Sequence, residues 1–263
     1  MVGIPDGVEH FDAILRERGC EIADVMAHRT TQTNEPARCA VLLPVISAIK
    51  GPVALIEVGA SAGLCLLPDR YGYRYGQHTI APPPEFAAFA PTLSCEASSR
   101  TPIPARHPDV VWRRGLDLNP LDVDRDDDIR WLECLVWPEQ TARLERLRAA
   151  IRVARADKPS VLRGDLRHDL ADLLQSAPRD ATCVVFHTAV LTYLASLDDR
   201  DRFALQVMDA GALWMSNESP KVFPHFAPRD AKANGRFMMM RNARPVAWTG
   251  PHGQSIDWLE LDT

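Results

Sequence analysis

The sequence predicts an α/β fold, in which a doubly wound, mostly parallel sheet of seven strands ends in an antiparallel C-terminal hairpin. Three observations favour it. Apolar residues at helical spacing precede the first candidate strand. Short apolar runs then alternate with helical patterns along the middle of the chain, which supplies the crossovers that parallel strands need. The end of the chain alternates apolar and polar residues, which is typical of antiparallel strands.

Two helices are predicted before the first strand. Asp6 and Asn34 are suited to cap them, because a side-chain oxygen at that position accepts a free backbone N–H. Turn signals and changes of period then delimit the later elements. The predicted helices lie at about 6–28, 34–49, 62–68, 126–156, 170–174 and 199–211, and the predicted parallel strands at about 53–58, 110–117, 160–165, 182–187 and 212–218.

The chain of 263 residues suits one large domain, or one domain with an appendage. We expect an N-terminal helical segment at 1–50 and a sheet domain at 51–263. Residues 69–110 combine Pro-rich stretches with the aromatic alternation "DRYGYRYG". We interpret them as an insertion that folds over the functional site, since long loops in compact domains are often functional.

The composition limits the function classes. Apolar residues make up 46% and charged residues 25% of the chain, as in globular proteins. The net charge of −5 does not favour nucleic-acid binding. Six scattered cysteines without a C-x-x-C indicate reduced thiols in a cytoplasmic protein, and no metal-ligand spacing is present. No signal peptide or membrane span is predicted. We expect a small-molecule substrate as partner, and the oligomeric state stays open.

Residues 55–67 read LIEVGASAGLCLL, in which an apolar run leads into the turn G-A-S-A-G. Two chemistries use such a turn. In serine hydrolases, G-x-S-x-G places the nucleophile on a sharp turn between a strand and a helix, and here the nucleophile would be Ser61. In doubly wound folds, a Gly-rich turn after the first strand holds a nucleotide-like cofactor.

The hydrolase interpretation finds less support in the sequence. A nucleophile of this kind needs strands before it, an oxyanion donor from an earlier loop, and an acid and a histidine later in the chain. Only two helices precede the first strand, and no H-G-G precedes Ser61. Asp209 and His252 are the late acid and histidine that it would use. It therefore stays as a further alternative.

Polar residues lie at five successive predicted strand ends. Ligands of doubly wound folds bind beyond the carboxyl ends of the strands, so these side chains are candidates for one site. Several carboxylates repel a pyrophosphate but suit ribose hydroxyls, an adenine amino group and a cation. S-adenosylmethionine presents all three and is the predicted cofactor. The strand-end residues are Glu57, Asp117, Asp165, His187 and the pair Asn217–Glu218.

The chain resembles two known families. "LIEVGASAG" is similar to the first motif, E/D-x-G-x-G-x-G, of the class I S-adenosylmethionine-dependent methyltransferase superfamily, although Ser61 replaces its middle glycine. The blocks "RTTQTNEPARCAVLLP", "WRRGLDLNPLDV", "WPEQTARLERLRAA" and "VVFHTAVLTYL" resemble the bacterial family called domain of unknown function 2332, from about residue 20 to the C-terminus. The first resemblance implies a Rossmann-like sheet of the methyltransferase type.

The superfamily resemblance also implies residue roles. The loop after the first strand would bracket the methionine and ribose, with an acid beneath it, and later strand ends would meet the ribose diol and adenine. The implied cofactor residues are Glu57, Gly59, Ala60, Ser61 and Gly63, then Asp117 for the diol, and Asp165 with Leu166 for adenine. His187 and Glu218 are the candidate catalytic residues. Asn34, Glu35, Arg38 and Asn217 are candidate substrate or lid residues, since the helix that begins near residue 34 leads directly into the first strand.

The predicted function is therefore a methyltransferase that uses S-adenosylmethionine and a small-molecule acceptor. The alternative is a protein of the same fold that binds S-adenosylmethionine or another nucleoside without catalysis. Each residue also has a structural interpretation. Ser61 suits a tight turn, Asp117 and Asp165 suit local caps, and His187 suits a hydrogen-bonded position in the core. The sequence does not decide among these interpretations.

Overall fold

The computed structural model describes residues 7–228 and 233–259, and the chain divides into two compact units between Thr33 and Asn34. The first unit contains one helix, α1 (Gly7–His28), which has a kink at Arg18. The second unit contains all the other described elements. The chain segment that begins at Asn34 therefore belongs to the same unit as the sheet.

The second unit combines five α-helices with twelve strands in its described residues. The helices are α2 (Cys39–Ser47), α3 (Asp126–Cys134), α4 (Thr141–Ala156), α5 (Leu170–Gln175) and α6 (Leu197–Asp209). The strands are β1 (Val53–Val58), β2 (Gly72–Tyr75), β3 (His78–Ile80), β4 (Thr92–Ser94), β5 (Glu96–Ala97), β6 (Val110–Asp117), β7 (Ser160–Arg163), β8 (Thr182–Thr188), β9 (Leu213–Glu218), β10 (Phe237–Arg241), β11 (Arg244–Thr249) and β12 (Ser255–Trp258).

The main sheet has the strand order β5-β12-β11-β10-β9-β8-β1-β6-β7. The strands from β7 to β9 are parallel to one another. Numbered by chain order, these five follow 3-2-1-4-5, which is the beginning of a doubly wound order. The order reverses between β1 and β8, so the crevice at the carboxyl ends of these two strands is where such folds bind ligands.

The sheet has nine strands in the described residues, so the prediction of seven is wrong. The C-terminal segment forms a meander of three antiparallel strands, β10 to β12, beside β9. The ninth strand is β5, which lies within the predicted insertion and pairs with β12. A strand of two residues has no measurable period, so the sequence pattern does not indicate it.

Most of the segment 69–110 forms a second, three-stranded sheet in the order β3-β2-β4. Three tyrosines fasten it to the rest of the unit, because each is buried and donates its hydroxyl to a backbone carbonyl. Tyr71 donates to Leu64, and Tyr75 donates to Ala40. Tyr73 donates to Pro68. The segment is thus packed against the loop after β1 and against α2.

Two hydrophobic clusters cover the two faces of the main sheet. The first face packs against α2, α4 and the tyrosines of β2, and the second face packs against α5 and α6. Side chains alternate between faces along a strand. Glu57 and Asn217 therefore lie on the first face, because each follows a residue of that face, Leu55 or Met215, by two positions. His187 lies on the second face, two positions after Val185.

The helix predicted at 62–68 is wrong. Only a 3-10 turn forms there, at Leu64–Leu66, and the chain then enters the segment that holds β2. Gly63 adopts a left-handed conformation and Pro68 follows closely, and both oppose a continuous α-helix. The positive end of a helix, which the cofactor interpretation expected directly after the G-A-S-A-G turn, is therefore missing at this position.

Candidate functional site

The loop after β1 is tightly packed against the protein itself. Gly59, Ser61 and Gly63 have φ values of 71°, 53° and 73°, in the left-handed region that favours glycine. A Cβ atom on Gly59 would lie 2.1 Å from Cγ2 of Val190. The glycine is therefore needed for the approach of the segment that follows β8, whatever else binds at this edge.

Two polar side chains hold this loop. The backbone N–H of Ser61 donates to Oδ2 of Asp117 at 2.8 Å, and the N–H of Leu64 donates to Oδ1 of Asn34 at 2.9 Å. Asp117 also accepts the N–H of Asn119 through Oδ1. The predicted residues Asn34 and Asp117 thus meet at the loop, and both shape it. A contact of Asp117 with a ribose diol stays a prediction.

Glu57 is the buried acid at the end of β1. Its Oε2 atom is inaccessible to solvent and has no hydrogen-bond partner among the described residues. Burial raises the pKa of Glu57 well above its usual range, the neighbouring Cys65 and Asp117 raise it further, and Arg38 acts in the opposite direction. The carboxyl group therefore keeps its proton at pH values where an exposed glutamate is ionised.

Three more buried polar atoms near this edge have no partner among the described residues. They are Oγ of Ser61, Nδ2 of Asn217 and, on the other face of β9, Oγ of Ser216. Asn217 lies on β9, and its Oδ1 accepts the hydroxyl of Thr249 at 2.6 Å. Buried polar groups in native proteins are almost always paired, so unpaired ones need an explanation such as a bound molecule. We call Arg38, Glu57, Ser61 and Asn217 the polar crevice.

Arg38 is bonded to the end of β8. It lies in the 3-10 turn Pro36–Arg38 that leads into α2. Its Nη1 donates to the carbonyl oxygen of Thr188 at 3.1 Å and to the Thr188 hydroxyl at 3.2 Å, and its Nε donates to the carbonyl of Pro251 at 3.1 Å. All three acceptors are neutral. Because Thr188 is opposite Asn217 in the β8–β9 register, Arg38 lies near the middle of the carboxyl edge.

Glu35 is the buried centre of an arginine network. Nε of Arg143 lies 2.8 Å from Oε2 of Glu35, and Nε of Arg146 lies 2.9 Å from Oε1. Glu35 also caps the following turn, because Oε1 accepts the N–H of Ala37. Burial acts to raise the pKa of Glu35, but Arg146, Ala37 and Arg143 together outweigh it, so the pKa is lowered. Glu35 is therefore ionised and holds α4 against the turn.

His187 and Glu218 are brought together, but inside the core of the second face. Nδ1 of His187 lies 2.8 Å from Oε1 of Glu218, and Nε2 accepts the indole N–H of Trp214 at 3.0 Å. The imidazole is thus neutral, and both nitrogens are engaged. The same Glu218 oxygen accepts the N–H groups of Val190 and Leu191. This network fixes the segment after β8, and a catalytic role for the pair stays a prediction.

Asp165 and Leu166 follow the end of β7. Asp165 accepts hydrogen bonds from the backbone and the guanidinium of Arg167, and the side-chain bonds lower its pKa to about 2. Leu166 packs against the core of the second face. The hydrogen bonds and the ion pair of Asp165 are all to Arg167 and Asp169 among the described residues, so the structure favours its role as a local cap, and adenine binding stays a prediction.

Two further properties of the described residues concern binding. No group of three or more His, Cys, Asp and Glu side chains among them has an arrangement that suits a metal ion. None of their helices combines the length and the apolar character that a membrane span needs.

Comparison with known families adds one finding. A family model described as "Uncharacterized protein conserved in bacteria (DUF2332)" matches residues 5–258. The chain belongs to this family. The matched range includes every residue of the polar crevice and of the arginine network, so these features lie within the DUF2332 domain. No curated protein and no solved structure matches the chain.

Sequence reasoning missed several residues of this DUF2332 site. Arg143 and Arg146 are one helical turn apart in α4, but a pair of arginines on a helix is ordinarily a solvated face. Thr188 and Thr249 carry no motif, and their roles depend on strand pairing. The signal that the sequence offers is the position of two charged residues, Glu35 and Arg38, directly before the apolar run 39–46.

Proposed function

We propose that this DUF2332 protein binds S-adenosylmethionine in the polar crevice and transfers its methyl group to a small-molecule acceptor. The observation that carries the proposal is the buried, unpaired carboxyl group of Glu57 at the end of β1. It stands beside the point where the strand order of a doubly wound sheet reverses, which is where ligands bind in such folds. The resemblance of "LIEVGASAG" to the first motif of the methyltransferase superfamily supports the same assignment.

The residues fit one end of this cofactor better than the other. Glu57, Ser61 and Asn217 offer unpaired polar atoms, which together suit the ammonium and hydroxyl groups of the amino-acid and ribose part. The adenine end has less support, since Asp165 is bonded to Arg167. When bound, the cofactor supplies an electrophilic methyl group.

The protein's own contribution to such a transfer is positioning. A nucleophile must be held in line with the bond that breaks, and preorganised contacts can supply most of the rate enhancement. The tightly packed loop after β1 and the hydrogen bonds of Asp117 and Asn34 give the crevice a fixed shape. A general base is needed only for an acceptor that carries a proton at the working pH. His187, with both ring nitrogens engaged, favours acceptors that need none.

Titration calorimetry with S-adenosylhomocysteine tests the cofactor assignment. We expect a Kd in the micromolar range, and about tenfold weaker binding in Asn217→Ala, because a hydrogen bond in a buried site contributes about 1–2 kcal/mol. Arg148→Gln is the matched control, since Arg148 is an exposed residue of α4 that pairs with Glu133. It should bind as the wild type does, and NAD should bind more weakly than S-adenosylhomocysteine.

The outcome that would overturn the proposal is a folded protein, with a cooperative thermal transition, that shows no heat of binding with S-adenosylhomocysteine. Binding without turnover of S-adenosylmethionine in a screen of small acceptors would instead favour the alternative, a nucleoside-binding protein without catalysis. The two outcomes are separated because the first concerns Kd and the second concerns the formation of S-adenosylhomocysteine over time.

One observation favours the hydrolase as a second candidate function. Ser61 is the central residue of G-x-S-x-G, has a φ of 53°, and leaves its Oγ without a partner in the described residues. Strained backbone of this kind accumulates at functional sites. A fluorophosphonate probe tests it: labelling that Ser61→Ala abolishes is expected for a hydrolase, whereas an unlabelled wild-type protein would remove this candidate.

A further inference from the structure

Three arginines lie near the carboxyl edge of the main sheet, on the side of α2 and α4. Arg143 and Arg146 pair with the ionised carboxylate of Glu35, and Arg38 lies in the same 3-10 turn that Glu35 caps, with its guanidinium bonded to Thr188 and Pro251. We call these three the arginine cluster. His252, in the loop between β11 and β12, directly follows Pro251, whose carbonyl accepts a hydrogen bond from Nε of Arg38. Its pKa is lowered by desolvation, then by Arg143, Arg38 and Arg146, while Glu35 acts in the opposite direction. The histidine therefore resists adding a fourth positive charge.

These three cations contrast with the protein as a whole, whose net charge is −5. Arg38 is the clearest case, because it is only 6% exposed and yet bonds to carbonyl and hydroxyl oxygens alone. No carboxylate of the described residues pairs with it. Its Nη2 donates no hydrogen bond to them either. A buried cation without a counter-ion is unfavourable unless another group supplies the negative charge.

Glu57 forms no ion pair or hydrogen bond with Arg38 among the described residues, and burial favours the protonated form of its carboxyl group. Glu35 is already shared by Arg143 and Arg146. Arg38 itself therefore has no carboxylate bonded to it among the described residues.

Two members of the arginine cluster are partly exposed to solvent. The side chains of Arg143 and Arg146 are 15% and 26% exposed, whereas Glu35 is 1% exposed. The cluster thus extends from the buried end of β8, at Thr188, to the protein surface on α4. A small molecule can therefore reach the guanidinium groups of Arg143 and Arg146 from solvent.

We propose that the arginine cluster binds a small oxyanion, a carboxylate or phosphate, which is carried by the acceptor molecule. Guanidinium groups suit these anions because their N–H donors match the geometry of two oxygens. The acceptor is then a small organic acid or phosphorylated compound rather than a neutral or cationic one. The assignment of the anion to the methyl acceptor rests on the proposed function, whereas anion binding by the arginine cluster does not.

The test is calorimetric titration with malonate and with inorganic phosphate, at constant ionic strength set with chloride. Malonamide, which has the shape of malonate without its charge, is the control ligand. We expect wild-type protein to bind at least one of the two anions in the millimolar range or tighter, and Arg146→Gln to bind it at least about tenfold more weakly. Arg148→Gln, on the same helix and paired with Glu133, should bind as the wild type does.

Arg38→Gln and Arg38→Lys form a second pair of variants, in which lysine keeps the charge but loses the paired donors. We expect binding to be lost in the first and weakened in the second. No anion binding by folded wild-type protein would overturn the proposal. Equal binding by wild type, Arg38→Gln and Arg146→Gln would overturn it as well, since the anion would then bind elsewhere.

The same titration in the presence of S-adenosylhomocysteine identifies the source of the oxyanion. Simultaneous binding supports an acceptor site. If S-adenosylhomocysteine competes with malonate but methylthioadenosine, which lacks the amino-acid carboxylate, does not, the cofactor's own carboxylate occupies the cluster and the acceptor assignment is wrong. Malonate binding in a protein that does not bind S-adenosylhomocysteine would leave the oxyanion site in place and remove the proposed cofactor instead.

Discussion

Glu57→Gln is expected to be more stable than the wild-type protein at pH 8 and equally stable near pH 4. The pKa of Glu57 is raised by burial, so the folded protein holds its proton more tightly than the unfolded chain, in which a glutamate titrates at about 4.3. Between that value and the folded pKa, the unfolded state has lost the proton and the folded state has kept it. The contribution of Glu57 to the free energy of unfolding then falls by up to about 1.4 kcal/mol for each pH unit as the pH rises.

Glutamine has the shape of the protonated carboxyl group and does not titrate, so the variant lacks this loss. The difference in unfolding free energy between variant and wild type should therefore grow from zero as the pH rises above about 4.3. Urea denaturation at several pH values between 4 and 8.5 measures it. A difference that stays constant over this range would contradict the protonated state of Glu57.

Glu133→Gln serves as a control of opposite sign. The hydrogen bond from Arg148 lowers the pKa of Glu133, so its ionised form stabilises the folded state. That contribution is present above the unfolded pKa and is lost as the pH falls through the folded pKa. Glu133→Gln should thus be slightly less stable than wild type at pH 8, and the two proteins should converge at low pH.

Glu218→Ala is expected to lower the free energy of unfolding by about 3 kcal/mol or more. One oxygen of Glu218 accepts hydrogen bonds from His187, Val190 and Leu191, and all three donors lose their acceptor in the alanine variant. Each buried donor left without a partner costs about 1–3 kcal/mol. Urea denaturation followed by tryptophan fluorescence measures the loss, since Trp214 belongs to the same network.

Glu218→Gln is the matched variant, because it keeps an acceptor oxygen of the same shape. We expect it to lose only about 1 kcal/mol, which is the difference between charge-assisted and neutral hydrogen bonds. Equal losses in the two variants would contradict the role of Glu218 as an acceptor. Turnover is a separate measurement on the same variant. If the pair His187 and Glu218 is catalytic, Glu218→Gln should abolish turnover although its stability is close to that of the wild type.

The strands were predictable from the sequence because their apolar runs are long and are separated by helices. The failures have physical reasons. The helix expected at 62–68 shows the right apolar spacing, but Gly63 requires a left-handed backbone and Pro68 stops any continuation. The strand β5 is too short to have a pattern, and its partner β12 lies far away in the chain.

The site was predictable only in part for a similar reason. Asn34, Asp117 and Glu57 can be placed near the loop after β1 from sequence alone, because each stands at the end or beginning of a recognisable element. The ion pairs of Glu35 with Arg143 and Arg146 join residues more than a hundred positions apart. The position of Val190 against Gly59 also depends on how β1 and β8 pair, which no local pattern reveals.

The pairing of β5 with β12 has a consequence for the order in which this protein folds. Glu96 is opposite Ser255, so the two partners are separated by most of the chain. Contacts between residues so distant in sequence carry a large loop-closure entropy and tend to slow folding. During synthesis, β5 leaves the ribosome long before β12 does. The edge of the sheet next to β12 can therefore close only when translation is nearly complete, whereas the parallel centre has all its strands by residue 218.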